Sequence, residues 1–302
     1  MTQLDPLTAA AGTGVLAEPL APGNGRAGAA TWRVFRRDPL GMISLAILAL
    51  LVVVALGAPL FAAYPASYGT DVLKPPSLTN IFGTDSLGRD VFGEVIWGTQ
   101  QSLLVAISAS VIAIVFGTVV AVLGAYFRRL DSIISVIVDL TLSLPVLPLM
   151  ILIAALIGPS TSTIIGVVAA FSWPEVTRLV RSQALTVVGL PYVDAARLMT
   201  TSPVWIISRH VIPAVTPVIV VSVVVTASRA VLSAAGLAFL GLGDPTVWSW
   251  GRILYEAQQS GAMSSAWWLT LIPSIAILLL VLSATLLSIA YNDARNPRNR
   301  AR

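Results

Sequence analysis

Residues 102–127 read SLLVAISASVIAIVFGTVVAVLGAYF, twenty-six positions without one charged side chain. A helix needs about 20 largely apolar residues to cross the hydrocarbon of a bilayer. Inside lipid, every backbone N–H and C=O must also find its partner within the protein. A run of this length meets both demands as an α-helix, so Ser102–Phe127 is predicted to span a membrane, ending at Arg128 and Arg129.

Working outward, five more runs qualify: Leu40–Phe61, Ser132–Ile157, Thr161–Val180, Ala214–Leu240 and Trp267–Ala290. Asp38 is placed to cap the first of them, and Pro39 suits a first helical position, where no N–H is needed. The third holds Asp139 and the breakers Pro145 and Pro148, and a short turn, Gly158-Pro159-Ser160, leads into the fourth. The expected fold class is all-α: a polytopic membrane protein with six transmembrane helices. Composition agrees, with 56% hydrophobic residues, 11% charged and a mean hydropathy of +0.87. A soluble domain carries roughly 25% charge.

Six crossings put both termini on one side, and the basic residues choose that side. With the termini inside, fourteen arginines are cytoplasmic: Arg26, Arg33, Arg36, Arg37, Arg128, Arg129, Arg178, Arg181, Arg197, Arg209, Arg295, Arg298, Arg300 and Arg302. Only Lys74, Arg89 and Arg252 fall outside, and Arg229 lies within a span. The positive-inside bias therefore predicts cytoplasmic termini in a bacterial plasma membrane. Because the arginines sit at span ends, the net charge of +4 orients the chain and predicts no nucleic-acid partner. Trp267 and Trp268 are expected at the outer interface, beside membrane lipid. Residues 1–31 lack the compact apolar core of a signal peptide and are expected to form a disordered cytoplasmic tail. The first helix and an extracytoplasmic segment occupy 32–101, the transmembrane core 102–292, and a basic cytoplasmic tail 293–302.

Absences narrow the chemistry. There is no cysteine, one histidine, His210, and no Gly-x-x-x-x-Gly-Lys-Ser/Thr phosphate loop. No cofactor, nucleotide or metal is expected on this chain, and no enzymatic activity. An intramembrane serine–histidine protease is not expected, because His210 is cytoplasmic in this topology and no carboxylate pair flanks a membrane-depth nucleophile. No repeat of 20–50 residues suggests an internally duplicated transporter.

Two segments between spans carry structure of their own. Outside, Thr84 or Asp85 is expected to cap a short helix along the membrane surface, with Val91, Phe92, Val95 and Ile96 on its apolar side. Inside, residues 181–213 are far longer than a passive connector between helices. Pro191 opens a helix to Met199 with Asp194 near its positive end. Ser202-Pro203 is a cap and first-turn proline for a second helix reaching His210, and Pro213 starts the fifth span. Two capped helices on the cytoplasmic face form a docking element for a soluble partner. An interfacial loop without a partner is the competing reading.

Here the sequence resembles a known family. Tyr192-Val193-Asp194-Ala195-Ala196-Arg197, then Ser202-Pro203 and Arg209-His210-Val211-Ile212-Pro213, resembles the EAA loop of ATP-binding-cassette (ABC) importer permeases, more narrowly the dipeptide/oligopeptide/nickel type. Gly83-Thr84-Asp85-Ser86-Leu87-Gly88-Arg89-Asp90-Val91-Phe92 resembles that family's signature before the second span. Trp173-Pro174 with Arg178-Leu179-Val180-Arg181, and Phe239-Leu240-Gly241-Leu242-Gly243 with Ser249-Trp250-Gly251, agree in order and spacing. The family usually has Glu at Asp194, Gly at Thr200, Arg at Gln100 and Glu at Ala234.

The resemblance implies a type I permease fold working beside a second, homologous permease. The complex would include two cytoplasmic ATPase subunits, which bind ATP and Mg, and the loop helices from Asp194 to Arg209 would sit in a cleft on one of them. An extracytoplasmic solute-binding protein would deliver the solute, peptide by default; nickel or another non-peptide solute is the alternative within the same architecture. A stand-alone secondary transporter or channel is the rival outside it.

Among single residues, Arg229 stands near the middle of a span, where insertion costs about 2.5–3.5 kcal/mol. It is expected to line the translocation path or to form a structural ion pair, with Asp139 the candidate partner by charge. Glu175 and Asp139 are otherwise read as inner-end packing residues. Ala234, Ala235, Gly236 and Ala238 give the fifth span a small-residue face for helix packing.

Overall fold

The computed structural model describes residues 32–199 and 202–295, and every regular element among them is a helix. Asp38 caps α1 (Pro39–Leu56), its carboxylate accepting from Leu40 N at 3.1 Å. A one-turn helix α2 (Ala58–Phe61) follows. The long helix α3 (Val91–Tyr126) is succeeded by α4 (Arg128–Ser143), α5 (Val146–Ile157) and α6 (Thr161–Val188). Beyond Gly189 come α7 (Pro191–Met199), α8 (Pro203–Ile206), α9 (Ile212–Leu237), α10 (Trp250–Gln259) and α11 (Trp267–Arg295).

The bundle is built around α3. Ala106, Ala109, Ala113, Gly117 and Ala121 are buried at spacings of three or four along one face of it. Small residues let helix backbones close together in lipid, where dispersion and interhelical hydrogen bonds drive association. A Cβ on Gly117 would stand 2.9 Å from the Trp173 carbonyl oxygen, and Thr177 Oγ1 donates to Gly117 O at 3.1 Å.

Sixteen residues earlier on both helices, Gln101 Nε2 donates to Thr161 Oγ1 at 2.7 Å. Contacts that advance together mean that α3 and α6 run parallel. The chain between them must therefore return to the side from which α3 started. It does so through α4 and α5, joined at Ser143-Leu144-Pro145 with a bend of 85°. Among the described residues five helices are long and apolar enough to cross a membrane, and the bent pair, counted as one broken span, makes six. Pro145 is the break: its ring excludes helical backbone at Leu144, whose ψ is 147°. Helices α1 and α11 lie antiparallel on the outside of the bundle, with Gly41 against Ala290.

Helix ends depart from the predicted spans. The α3 helix starts at Val91, capped by Asp90, so the expected surface helix is the overhang of the second span. Thr84 and Asp85 are engaged elsewhere, and Gly88 at φ +73° interrupts any helix that would begin before it. At 36 residues α3 is about 54 Å long, well beyond a 30 Å hydrocarbon layer. At its other end the bundle lengthens too, because α6 continues to Val188. Pro213 does not separate the second loop helix from the fifth span: helical backbone runs from Pro203 to Leu240, where Gly241 at φ +81° ends it. Pro213 has no N–H for the Arg209 carbonyl, and the backbone accommodates this as a wider π turn at Ile207–Val211. Trp268 is buried, its Nε1 donating to Thr84 O at 3.1 Å, so it pins a loop to the core; Trp267 alone has the expected exposure.

A prediction arises in the segment before α3. Gly88 and Gly69 touch backbone to backbone, and a Cβ on Gly88 would fall 2.3 Å from Gly69 O. With its left-handed φ, Gly88→Ala is expected to cost about 2 kcal/mol or more. A thermal melt of the detergent-solubilised protein should show a lower midpoint; an unchanged one would contradict the tight approach.

Candidate functional site

Functional side chains gather in three places: a hairpin at one end of the bundle, a charged groove part-way along it, and a buried ion network at the opposite end.

The hairpin is α7 and α8. Ser202 caps α8, accepting from Trp205 N at 3.4 Å, with Pro203 in the first turn. Val193 and Ala196 point inward onto Val187, Ile206, Val211 and Val215, a cluster separate from the main core. Arg197 Nη1 donates to Asp194 Oδ1 at 2.8 Å, and its guanidinium lies 5.1 Å over the Tyr126 ring at the end of α3. His210 sits between two aromatic rings, 5.3 Å from Trp205 and 5.9 Å from Tyr192, and belongs to no cluster of three potential metal ligands among the described residues. Ala195 and Arg209 are exposed on the outer surface, and Pro213 lies just inside α9. Thr200 lies outside the described residues. At the tip the side chains are apolar yet bare: Leu198 is 91% exposed and Met199 89%, with Val204 and Trp205 beside them. Apolar exposure of this kind marks a surface that another protein or a membrane covers.

In the groove, Arg229 of α9 pairs with Glu175 of α6, not with Asp139. Asp139 of α4 is taken by Arg178, at 2.8 Å. Charge alone could not separate these pairings, because both carboxylates are near in depth; the packing of α9 against α6 brings Glu175 to Arg229. Leu142, Val176, Leu179, Ser222, Val225 and Thr226 form the walls. On α6, Glu175 and Arg178 are three residues apart and share one face.

At the opposite end Arg89 is nearly enclosed by acids. Its Nε donates to Asp85 Oδ2 at 2.6 Å, its Nη2 pairs with Glu256, and Nε stands 3.3 Å from Glu94 Oε1. Arg252 Nε donates to the other oxygen of Glu256 at 2.8 Å. The Trp248 ring lies under both guanidinium groups, at 4.5 Å and 4.2 Å. Burial alone would lower the Arg89 pKa, but the Asp85 hydrogen bond and the charges of Glu256, Glu94 and Asp85 outweigh it and raise the value. Asp85 Oδ1 also accepts from Leu87 N and Arg89 N, Thr84 Oγ1 donates to Asp71 O, and Gly83 and Gly88 take the positive φ values the loop needs. This is the signature Gly83, Thr84, Asp85, Gly88, Arg89 and Asp90, now seen as a folded knot that clamps residues 62–90 onto α10. Glu94, Trp248, Arg252 and Glu256 were not picked out from sequence; the Arg252–Glu256 spacing of four on an amphipathic helix was the available signal.

Residues 113–300 match the family model described as binding-protein-dependent transport system inner membrane component, a stretch that includes the hairpin and the groove. The chain belongs to that family. Residues 28–76 match a second model, the N-terminal TM domain of oligopeptide transport permease C, in agreement with the dipeptide/oligopeptide/nickel-type resemblance. A glutathione transport system permease protein of Escherichia coli is 36% identical over 272 residues, 88% of this chain and 89% of its own length. A Brucella suis protein provisionally named a peptide transport system permease is 34% identical over 226 residues, 74% of this chain and 76% of its own. The chain is thus a multi-pass ABC permease, a transport component.

Proposed function

We propose that this permease is one of two related membrane subunits of an ABC importer for peptides or glutathione-like solutes. Both termini and the α7–α8 hairpin face the cytoplasm, where the hairpin seats on an ATPase subunit that carries the ATP and Mg. A solute-binding protein loads the opposite face. The orientation rests on the arginine distribution. The coupling role is carried by one observation: a hairpin packed firmly on its inner side presents four bare apolar side chains, Leu198, Met199, Val204 and Trp205, at its tip. A loop without a partner gains nothing from that exposure. ATP-driven closure of the ATPases would move the hairpin and alternate the access of the bundle.

Asp194→Lys and Arg197→Glu test this. Their ion pair is half-exposed and contributes little to folding. Uptake is expected to fall about tenfold, with weaker ATPase co-purification, while the spans remain folded. Normal uptake by both variants would overturn the docking role. Transport by this chain alone in liposomes would instead favour a stand-alone carrier.

A further inference from the structure

The two ion pairs in the groove face out of the bundle. Arg229 is 60% exposed and Glu175 51%, and Arg178 and Asp139 are comparably open. Glu175 lies about 21 Å from the outer end of α6, still within a hydrocarbon layer about 30 Å thick. Charged groups at that depth do not face lipid; they face a water-filled passage or another protein. The second permease of the proposed complex meets this requirement, with the groove lying along the shared passage.

The arrangement has more content than a polar lining. Each pair is neutral as a unit, and the two pairs form successive tiers, since Arg178 follows Glu175 by three residues, about 4.5 Å along the helix. A solute carrying both a carboxylate and an ammonium group can open such a pair without leaving a charge uncompensated. Its carboxylate replaces Glu175 on the guanidinium, and its ammonium satisfies Glu175 in return. A solute lacking either group would leave one member of the pair without its counter-charge. The guanidinium presents a planar fork that matches a carboxylate, and peptides and glutathione share a free carboxylate and a free α-ammonium within one molecule.

We infer that Arg229 and Glu175 form a charge-exchange site that selects zwitterionic solutes, Arg229 receiving the carboxylate and Glu175 the ammonium group. This rests on the proposed importer of peptide-like solutes. Arg178 and Asp139 repeat the exchange one step nearer the hairpin.

The test uses the complete transporter with its binding protein, reconstituted in liposomes. Three forms of one peptide that the binding protein accepts are loaded to equal occupancy: free, C-terminally amidated, and N-acetylated. In the unaltered complex, the amidated and acetylated forms are expected to enter at least tenfold more slowly than the free form. Arg229→Gln should abolish the preference for the free carboxylate but retain that for the free ammonium group; Glu175→Gln should do the reverse. Arg229→Lys should restore part of the carboxylate preference. A purely structural ion pair would slow all three peptides by one common factor in both variants, and that result would overturn the site. Equal uptake of the three peptides by the unaltered complex would overturn it as well. If the unaltered complex imports none of the three, the peptide reading itself fails, and the site falls with it.

Discussion

Arg89→Ala is expected to remove most folded protein from the membrane. Asp85, Glu94 and Glu256 bring carboxylate oxygens within 4.8 Å of one another, and Asp85 and Glu94 are buried. The Arg89 guanidinium lies among all three. Without it, Arg252 alone faces three acids, and its contact is to Glu256. Removing one partner of a buried ion pair typically costs about 3–5 kcal/mol, against a total stability of about 5–15 kcal/mol for a typical protein. The relief available is to protonate the acids or release the loop, and either one loosens the knot before α3. Yield of monodisperse detergent-solubilised protein and its melting midpoint would read the effect. Arg89→Lys should recover only part of the loss, because a single ammonium cannot serve several carboxylates in the fork geometry. A fully stable Arg89→Ala protein would mean that the network is solvated and dispensable.

Val193→Asp is expected to abolish uptake, by a hundredfold or more, while the spans stay intact. Val193 has no exposed surface and sits among Val187, Ile206, Val211 and Val215. A carboxylate there has no partner, and burying it unpaired costs several kcal/mol. The least costly response is for α7 to swing away from α6 and α9, since Val193 and Ala196 are the side chains that hold it down. The loss should show as transport without change in helical content or solubility, and as loss of ATPase co-purification if the hairpin is the docking element. Full uptake by Val193→Asp would mean that the position of α7 is irrelevant to transport.

Much of the fold was readable because membrane helices are written in composition: runs such as 102–127 leave no alternative to a span. The capping of α1 by Asp38, of α8 by Ser202, and the break at Pro145 were equally visible, as each is local backbone chemistry. Helix ends were less so. Polar overhangs such as Val91–Gln101 and Arg181–Val188 carry no lipid signal, and only packing against neighbours makes them helical. The parallel course of α3 and α6 is a tertiary fact with no trace in either helix alone. At the site, the hairpin motif was legible because its caps and its family resemblance coincide. The pairing of Arg229 with Glu175 was not, since opposite charges at similar depth are interchangeable until the helices are docked. Glu256 escaped notice because its meaning depends on Arg89, 167 residues away.

The helical path from Pro203 to Leu240, widened by the π turn at Ile207–Val211, carries Trp205 at one station and Arg229 at another. Twenty-four residues separate them, about 36 Å of axial rise. Were the proposed coupling to act there, a torque at the exposed tryptophan would reach the guanidinium along this one camshaft, through the π turn and past Pro217. Because successive side chains are set about 100° apart around the axis, even a fraction of one residue's turn would re-aim the arginine toward or away from its glutamate.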